Sequence, residues 1–158
     1  MRDILKADAV HRIIKEQRAQ RSPARSRAGP GLNVLVLGGG GREYAIAWRL
    51  ARSDSVATID VAPGNAGLAA FARTIALDPR DTARLEQHVA ASLIDLVVVG
   101  PDELVARGIG DALRRSATPV VAPSREASRI EWSKSFAKEV MDESGVPTAA
   151  WRAYADRA

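Results

Sequence analysis

Three short segments of this 158-residue chain carry residue types whose chemistry goes beyond packing. They are Gly38-Gly39-Gly40-Gly41 with Arg42 and Glu43 behind it, Pro63-Gly64-Asn65, and Gly100-Pro101-Asp102. A glycine run that follows a strand and opens a helix turns sharply because no Cβ crowds it. It thereby brings N–H groups and the positive end of the helix dipole to an anion. A phosphorylated small molecule is the ligand class such a turn suits. Arg42 offers a planar cationic fork to a phosphate, or an ordinary surface pair one helical turn away. Glu43 would repel a pyrophosphate at that helix start and suits a hydrogen bond to an amine or hydroxyl.

The same turn fails the test for a dinucleotide fingerprint. The third glycine would fall at position 43, where Glu43 stands, and the ribose-binding acid should end the second strand. Asp60 is instead followed by Val61 and Ala62, inside the strand rather than at its tip. A nicotinamide-dependent oxidoreductase is disfavoured on both counts. With no cysteine, disulfides, thiolate nucleophiles and Cys-ligated zinc are excluded. The two histidines, His11 and His88, stand 77 positions apart and belong to no metal or triad motif. Aromatic residues, at 4%, are too sparse for a base-stacking platform.

These segments have to be held by something, and the apolar pattern says what. NVLVL (33–37), ATIDV (57–61), IDLVVV (94–99) and PVVA (119–122) are short, β-branched runs of the kind buried on both faces of a parallel sheet, with TIAL (74–77) a further candidate. Helical spacing lies between them. It occurs behind the glycines through Trp48 and Leu50, from an Asp81 N-cap through Leu85 and Val89, and over Leu104 to Leu113. A last helix runs from Ser133 to Ser144 and closes at Gly145. The order predicts an α/β fold, a parallel sheet of four to five strands with helices on both faces. In such sheets ligands gather at the carboxyl ends of strands, and all three segments fall there.

Charge divides the chain. Residues 1–31 carry a net +5 and residues 32–158 a net −1, so the overall +4 belongs to the N-terminal segment. That segment reads as a weak amphipathic helix over 1–20 followed by a linker-like RSPARSRAGPG run. It is expected to be a basic, flexible extension, either solvated or touching an anionic partner. The longest charge-free run, 28–41, is glycine-rich and falls short of the roughly 20 apolar residues of a membrane span. A soluble, cytoplasmic protein is expected, with neither membrane nor nucleic acid as a partner.

Four motifs taken together resemble one family. GGGGREYAIAW (38–48), VAPGNAG (61–67), DLVVVGPD (95–102) and SKSFAKEVMDESGVPTA (133–149) are similar, in order and spacing, to the N-terminal portion of phosphoribosylamine-glycine ligases, from about Asn33 to Tyr154. The resemblance implies a Rossmann-like pre-ATP-grasp domain over 32–131, with 132–158 as linker helix and the start of an ATP-grasp domain. It implies an ATP-dependent carbon-nitrogen ligase of purine biosynthesis that joins glycine to 5-phosphoribosylamine, with ATP and Mg2+ or Mn2+ as cofactors.

By the same resemblance Gly38, Gly40, Gly41, Arg42 and Glu43 help form the phosphoribosylamine pocket, together with Gly100, Pro101 and Asp102. Asn65 joins them because its amide both donates and accepts; alternatively it is a turn residue tolerating left-handed backbone. Lys134 resembles a lysine that approaches the nucleotide phosphates in ATP-grasp enzymes, and reads equally as a solvated lysine, as does Lys138. Two positions depart from the family pattern: Tyr44 stands where histidine is usual, and Asp102 where glutamate is usual. The nucleotide lobes and metal carboxylates are expected beyond Ala158, so no catalytic residue is expected in this chain. By itself it is expected to be inactive unless a complementing ATP-grasp polypeptide supplies them. The alternative is a stand-alone phosphosugar- or nucleotide-binding module without catalysis.

Overall fold

Leu32–Gly38 (β1) is the central strand, and the computed structural model, which describes residues 31–154, shows why it is so apolar. It pairs in parallel with Val56–Pro63 (β2) on one edge and with Leu96–Val99 (β4) on the other. Arg73–Thr74 (β3) extends the sheet beyond β2, and Val120–Val121 (β5) extends it beyond β4. The order is β3-β2-β1-β4-β5, all parallel. The winding therefore reverses between β1 and β4, and the crevice at their carboxyl ends is the switch point where open α/β sheets place ligands.

Period-two alternation sends the side chains of β1 to two layers. Val34 and Val36 join Ile59, Val61, Leu96 and Val98 beneath Ala47 of α1 (Gly41–Leu50) and Leu68 of the 3-10 helix Ala66–Ala70. Leu35 and Leu37 join Val97 and Val99 on the opposite face. There they meet α2 (Thr82–Ala91), α3 (Asp102–Ala106) and α4 (Ile109–Arg115) through Leu85, Leu104 and Leu113. Each such fully buried aliphatic side chain stabilises the fold by about 1.5–3 kcal/mol. The chain continues through α5 (Arg129–Trp132) to α6 (Lys134–Glu143), capped by Ser133. Asp81 caps α2 as its position predicts, accepting from the N–H of Arg84 at 3.1 Å.

The α/β class, the parallel sheet and the helical cover on both faces stand as the sequence predicts. Three local expectations do not. The third strand is Arg73–Thr74, not 74–77, because the ladder to β2 ends with Ile75 N–H on Val61 C=O and the chain then turns at Leu77 N–H onto Ile75 C=O. Ile75 and Leu77 serve as packing residues against the core. The single helix over Leu104 to Leu113 is two helices, α3 and α4, although its apolar stripe packs continuously. Gly108, at φ +78, takes the left-handed position that ends the first. The last strand is two residues rather than four. The basic extension and its amphipathic helix fall, save Gly31, outside the described residues. No helix among the described residues is long and apolar enough to cross a membrane.

Candidate functional site

The glycine turn between β1 and α1 is built around Glu43. Its side chain is 4% exposed, and its Oε2 accepts the N–H of Gly40 at 2.7 Å, closing the start of the helix from below. The carboxylate lies between the ends of β1 and β4. A Cβ on Gly38 would stand 2.7 Å from its Cγ and Cδ, and one on Gly100 would stand 2.6 Å from its Cδ and nearer still to Oε1. Gly38, at φ +120, and Gly100 are thus small because the carboxylate occupies their side-chain space. The structure gives Glu43 a partner inside the chain, the amide it steadies. The first-turn N–H groups of Gly41 and Arg42 have no intrahelical acceptor by geometry and lie at the positive end of α1.

Arg42 reaches across the switch point. Its Nη1 donates to the Gly100 carbonyl and to Asp102 Oδ1, the latter at 2.8 Å. The hydrogen bond and charge of Asp102 raise the guanidinium above its ordinary value, so it stays charged at every working pH. Asp102, on its short arm, is thereby committed to Arg42, and the two clamp the loop after β4 to the glycine turn. Of the two readings of Arg42, the structure shows a pair, formed with a residue 60 positions away rather than one helical turn away.

Asn65 laces the second loop to the first. Its Nδ2 donates to the Gly39 carbonyl at 2.8 Å and its Oδ1 accepts the Gly67 N–H at 2.8 Å, capping the 3-10 helix. Both functions of the amide are in use, and the backbone is extended, φ −150, rather than left-handed. It is Gly64, at φ +73, that takes the left-handed position, with its N–H on the Gly38 carbonyl. Asn65→Ala removes cap and lacing together and is expected to lower stability by about 1 kcal/mol. A urea denaturation midpoint checks this; an unchanged midpoint would mean that the two hydrogen bonds contribute nothing net.

Beside this laced rim lies an open cleft of about 410 Å³. Gly38, Pro63 and Pro101 form its edge at the ends of β1, β2 and β4, and the segment 76–80 after β3 forms its wall. Most of the lining is apolar, with Asp78, Arg80 and Glu103 as the charged exceptions. Arg80 Nε and Nη2 stand 3.2 and 3.4 Å from the Glu103 carboxylate, which Arg107 Nε also contacts at 3.1 Å. Hydrogen bonding from Arg80, its charge, and then Arg107 hold the Glu103 carboxyl below its ordinary value, and it is ionised through the neutral range. Sequence reasoning missed Arg80 as a cleft residue, although Asp78-Pro79-Arg80 follows the third strand as the other loops follow theirs.

The structure thus brings Gly38, Gly40, Gly41, Arg42, Glu43, Asn65, Gly100, Pro101 and Asp102 to one rim. Of these only Gly38 and Pro101 line the cleft itself. Lys134 is exposed at the start of α6 and Lys138 is bound to Thr148 Oγ1, neither of them in the cleft. Among the described residues there is no group of three or more His, Asp or Glu side chains that could hold a metal ion. The donor set here does not fit a divalent cation.

Residues 32–131 match the sequence profile of a family described as phosphoribosylglycinamide synthetase, N domain. A phosphoribosylamine-glycine ligase of Mesorhizobium japonicum is 42% identical over 127 residues, which are 80% of this chain and 30% of that one. The human trifunctional purine biosynthetic protein adenosine-3 is 44% identical over 123 residues, 77% of this chain and 12% of that protein. Among solved structures, the phosphoribosylamine-glycine ligase of Thermotoga maritima superposes with a TM-score of 0.55 at 28% identity, covering 75% of this chain and 26% of that one. The chain spans about a third or less of the length of each of these relatives.

Proposed function

The chain belongs to the phosphoribosylglycinamide synthetase N-domain family, and we propose that its rim and cleft are the phosphoribosylamine-binding face of a ligase that joins that amine to glycine. The single observation that supports this most is where the cleft opens. Gly38, Pro63 and Pro101, at the carboxyl ends of three neighbouring strands and beside the switch point, form its edge.

In the reaction we assign to the whole ligase, ATP converts the glycine carboxylate to an acyl phosphate. The amine of phosphoribosylamine then attacks the carbonyl carbon, the C–N bond forms and phosphate leaves. The nucleotide, the divalent cation that accompanies it and glycine belong on this reading to the ligase beyond the described residues, with Lys134 facing the nucleotide. The described residues bind and orient the amine substrate. Three features make that feasible. Glu43 fixes the turn by holding the Gly40 amide; Asn65 and the pair Arg42–Asp102 fix its two flanking loops; and all of these groups are satisfied before a ligand arrives, so little order has to be created on binding. We place this chemistry in the cytoplasm.

Ribose 5-phosphate is a stable mimic of the amine substrate. Titrated into the 15N-labelled chain, it is expected to move the amide signals of Gly38, Gly40, Gly41 and Leu77 saturably. A rim whose signals stay in place up to high millimolar ligand would overturn the assignment.

A further inference from the structure

We infer that Arg80 is the residue that grips the phosphate of the phosphosugar in the cleft, letting go of Glu103 to do so. The inference rests on the proposed function and specifies which part of the site takes which end of the ligand. Two places at this rim offer positive charge to an anion, and they are not equivalent. At the start of α1, the cation Arg42 is already bound to Asp102 and to the Gly100 carbonyl, and the Glu43 carboxylate lies directly beneath the turn. A phosphate dianion there would face two carboxylates whose one cation is engaged.

The cleft is arranged differently. Arg80 lines it, is about half exposed, and holds Glu103 only through long contacts of 3.2 and 3.4 Å. Such an exposed, stretched pair contributes little and is cheap to exchange. Glu103 has a second cation ready, since Arg107, one turn along the same helix, contacts it at 3.1 Å. When Arg80 swings away, Glu103 is therefore not left uncompensated. The other carboxylate in the lining, Asp78, is exposed and engaged by the same loop, its Oδ1 accepting the backbone N–H of Arg80 itself at 2.9 Å. This anchors the loop that carries the arginine. A guanidinium fork matches two oxygens of a phosphate better than it matches Glu103 at these distances. Pro63, Leu77, Pro101 and Leu104 line the cleft beside it with apolar surface.

The test is calorimetric titration of the full chain with ribose 5-phosphate, with ribose and with inorganic phosphate. Wild type is compared with Arg80→Met, Arg80→Lys and Glu103→Gln, each first shown to melt like wild type. Arg80→Met is expected to weaken ribose 5-phosphate at least tenfold and to abolish competition by inorganic phosphate. Arg80→Lys, which keeps the charge and loses the fork, should fall between. Glu103→Gln should tighten binding about threefold, because Arg80 is released; weaker binding in that variant would overturn the exchange. If Arg80→Met binds within twofold of wild type, Arg80 is not the phosphate ligand, while the rim as substrate site stands. If wild type binds no ribose 5-phosphate at all, both fall together.

Discussion

Gly100→Ala is expected to destabilise the protein by about 3 kcal/mol or more, the upper range of overpacking effects, although it adds one methyl group at a position whose backbone is unremarkable. The methyl would fall far inside van der Waals contact with Glu43 Oε1 and 2.6 Å from Cδ. Neither side can yield easily. The carboxylate is pinned by the Gly40 amide at 2.7 Å, and its side chain is buried against Gly38 from the other direction. Gly100, for its part, holds β1 through its N–H on the Leu37 carbonyl and Arg42 through its own carbonyl. The measurement is a double-mutant cycle in urea with Glu43→Ala. Truncating Glu43 removes the obstacle at the cost of the cap, so the double variant should lose less than the two single losses combined, by at least about 1 kcal/mol. A Gly100→Ala protein as stable as wild type would show that the carboxylate has somewhere else to go.

Arg73→Met should cost about 1–3 kcal/mol, the penalty for leaving a buried acceptor unpaired. Asp60 sits in the middle of β2 at 2% exposure, and Arg73 reaches it from β3 as a fork, Nε to Oδ1 at 2.8 Å and Nη2 to Oδ2 at 2.7 Å. With the fork gone, what remains beside the carboxylate is His88 Nε2, 3.4 Å from Oδ2 and without a hydrogen-bond partner of its own. The lower part of the range is the expectation because the arginine side chain is largely exposed and water can replace some of it. The loss should not stay local. Arg73–Thr74 is the whole of β3, and the cleft wall at 76–80 follows directly, so the variant should also show faster amide exchange over residues 75–80. Changing both partners, with Asp60→Val added, should recover most of the stability, since the buried carboxylate that needs a partner is then gone. If the double variant is no better than Arg73→Met, the fork is not what makes Asp60 tolerable.

The two cases mark where the sequence is readable. Asp60 is excluded as a ribose ligand from its place inside an apolar run, and the structure puts it there, but its partner comes from 13 residues downstream and follows no local rule. The glycine turn, the Asn65 loop and the loop at 100–102 are each visible as breaks between periodic segments, and the parallel topology brings them to one rim. Which groups then face outward was not visible. Glu43 reads as a hydrogen-bond partner for an amine or hydroxyl, and in the structure it hydrogen-bonds the amide three residues back and fills a space between two strands. Arg42 reads as either a phosphate fork or a surface pair, and the partner it has in the structure, Asp102, stands 60 positions away. The segment 76–80 carries no motif, its first residues reading as the end of the TIAL run, and it supplies the cation of the cleft.

By itself, then, the sequence determined the fold class, the order of elements, the rim at which the three loops converge and the family. These depend on local periodicity, on turn chemistry and on motif order, all of which are written along the chain. Only the tertiary structure decided which charges at that rim are spent inside the protein and which face the cleft. Pairing a charge requires a partner within a few ångströms, and across a parallel sheet that partner is 13 to 60 residues away, fixed by strand register rather than by spacing.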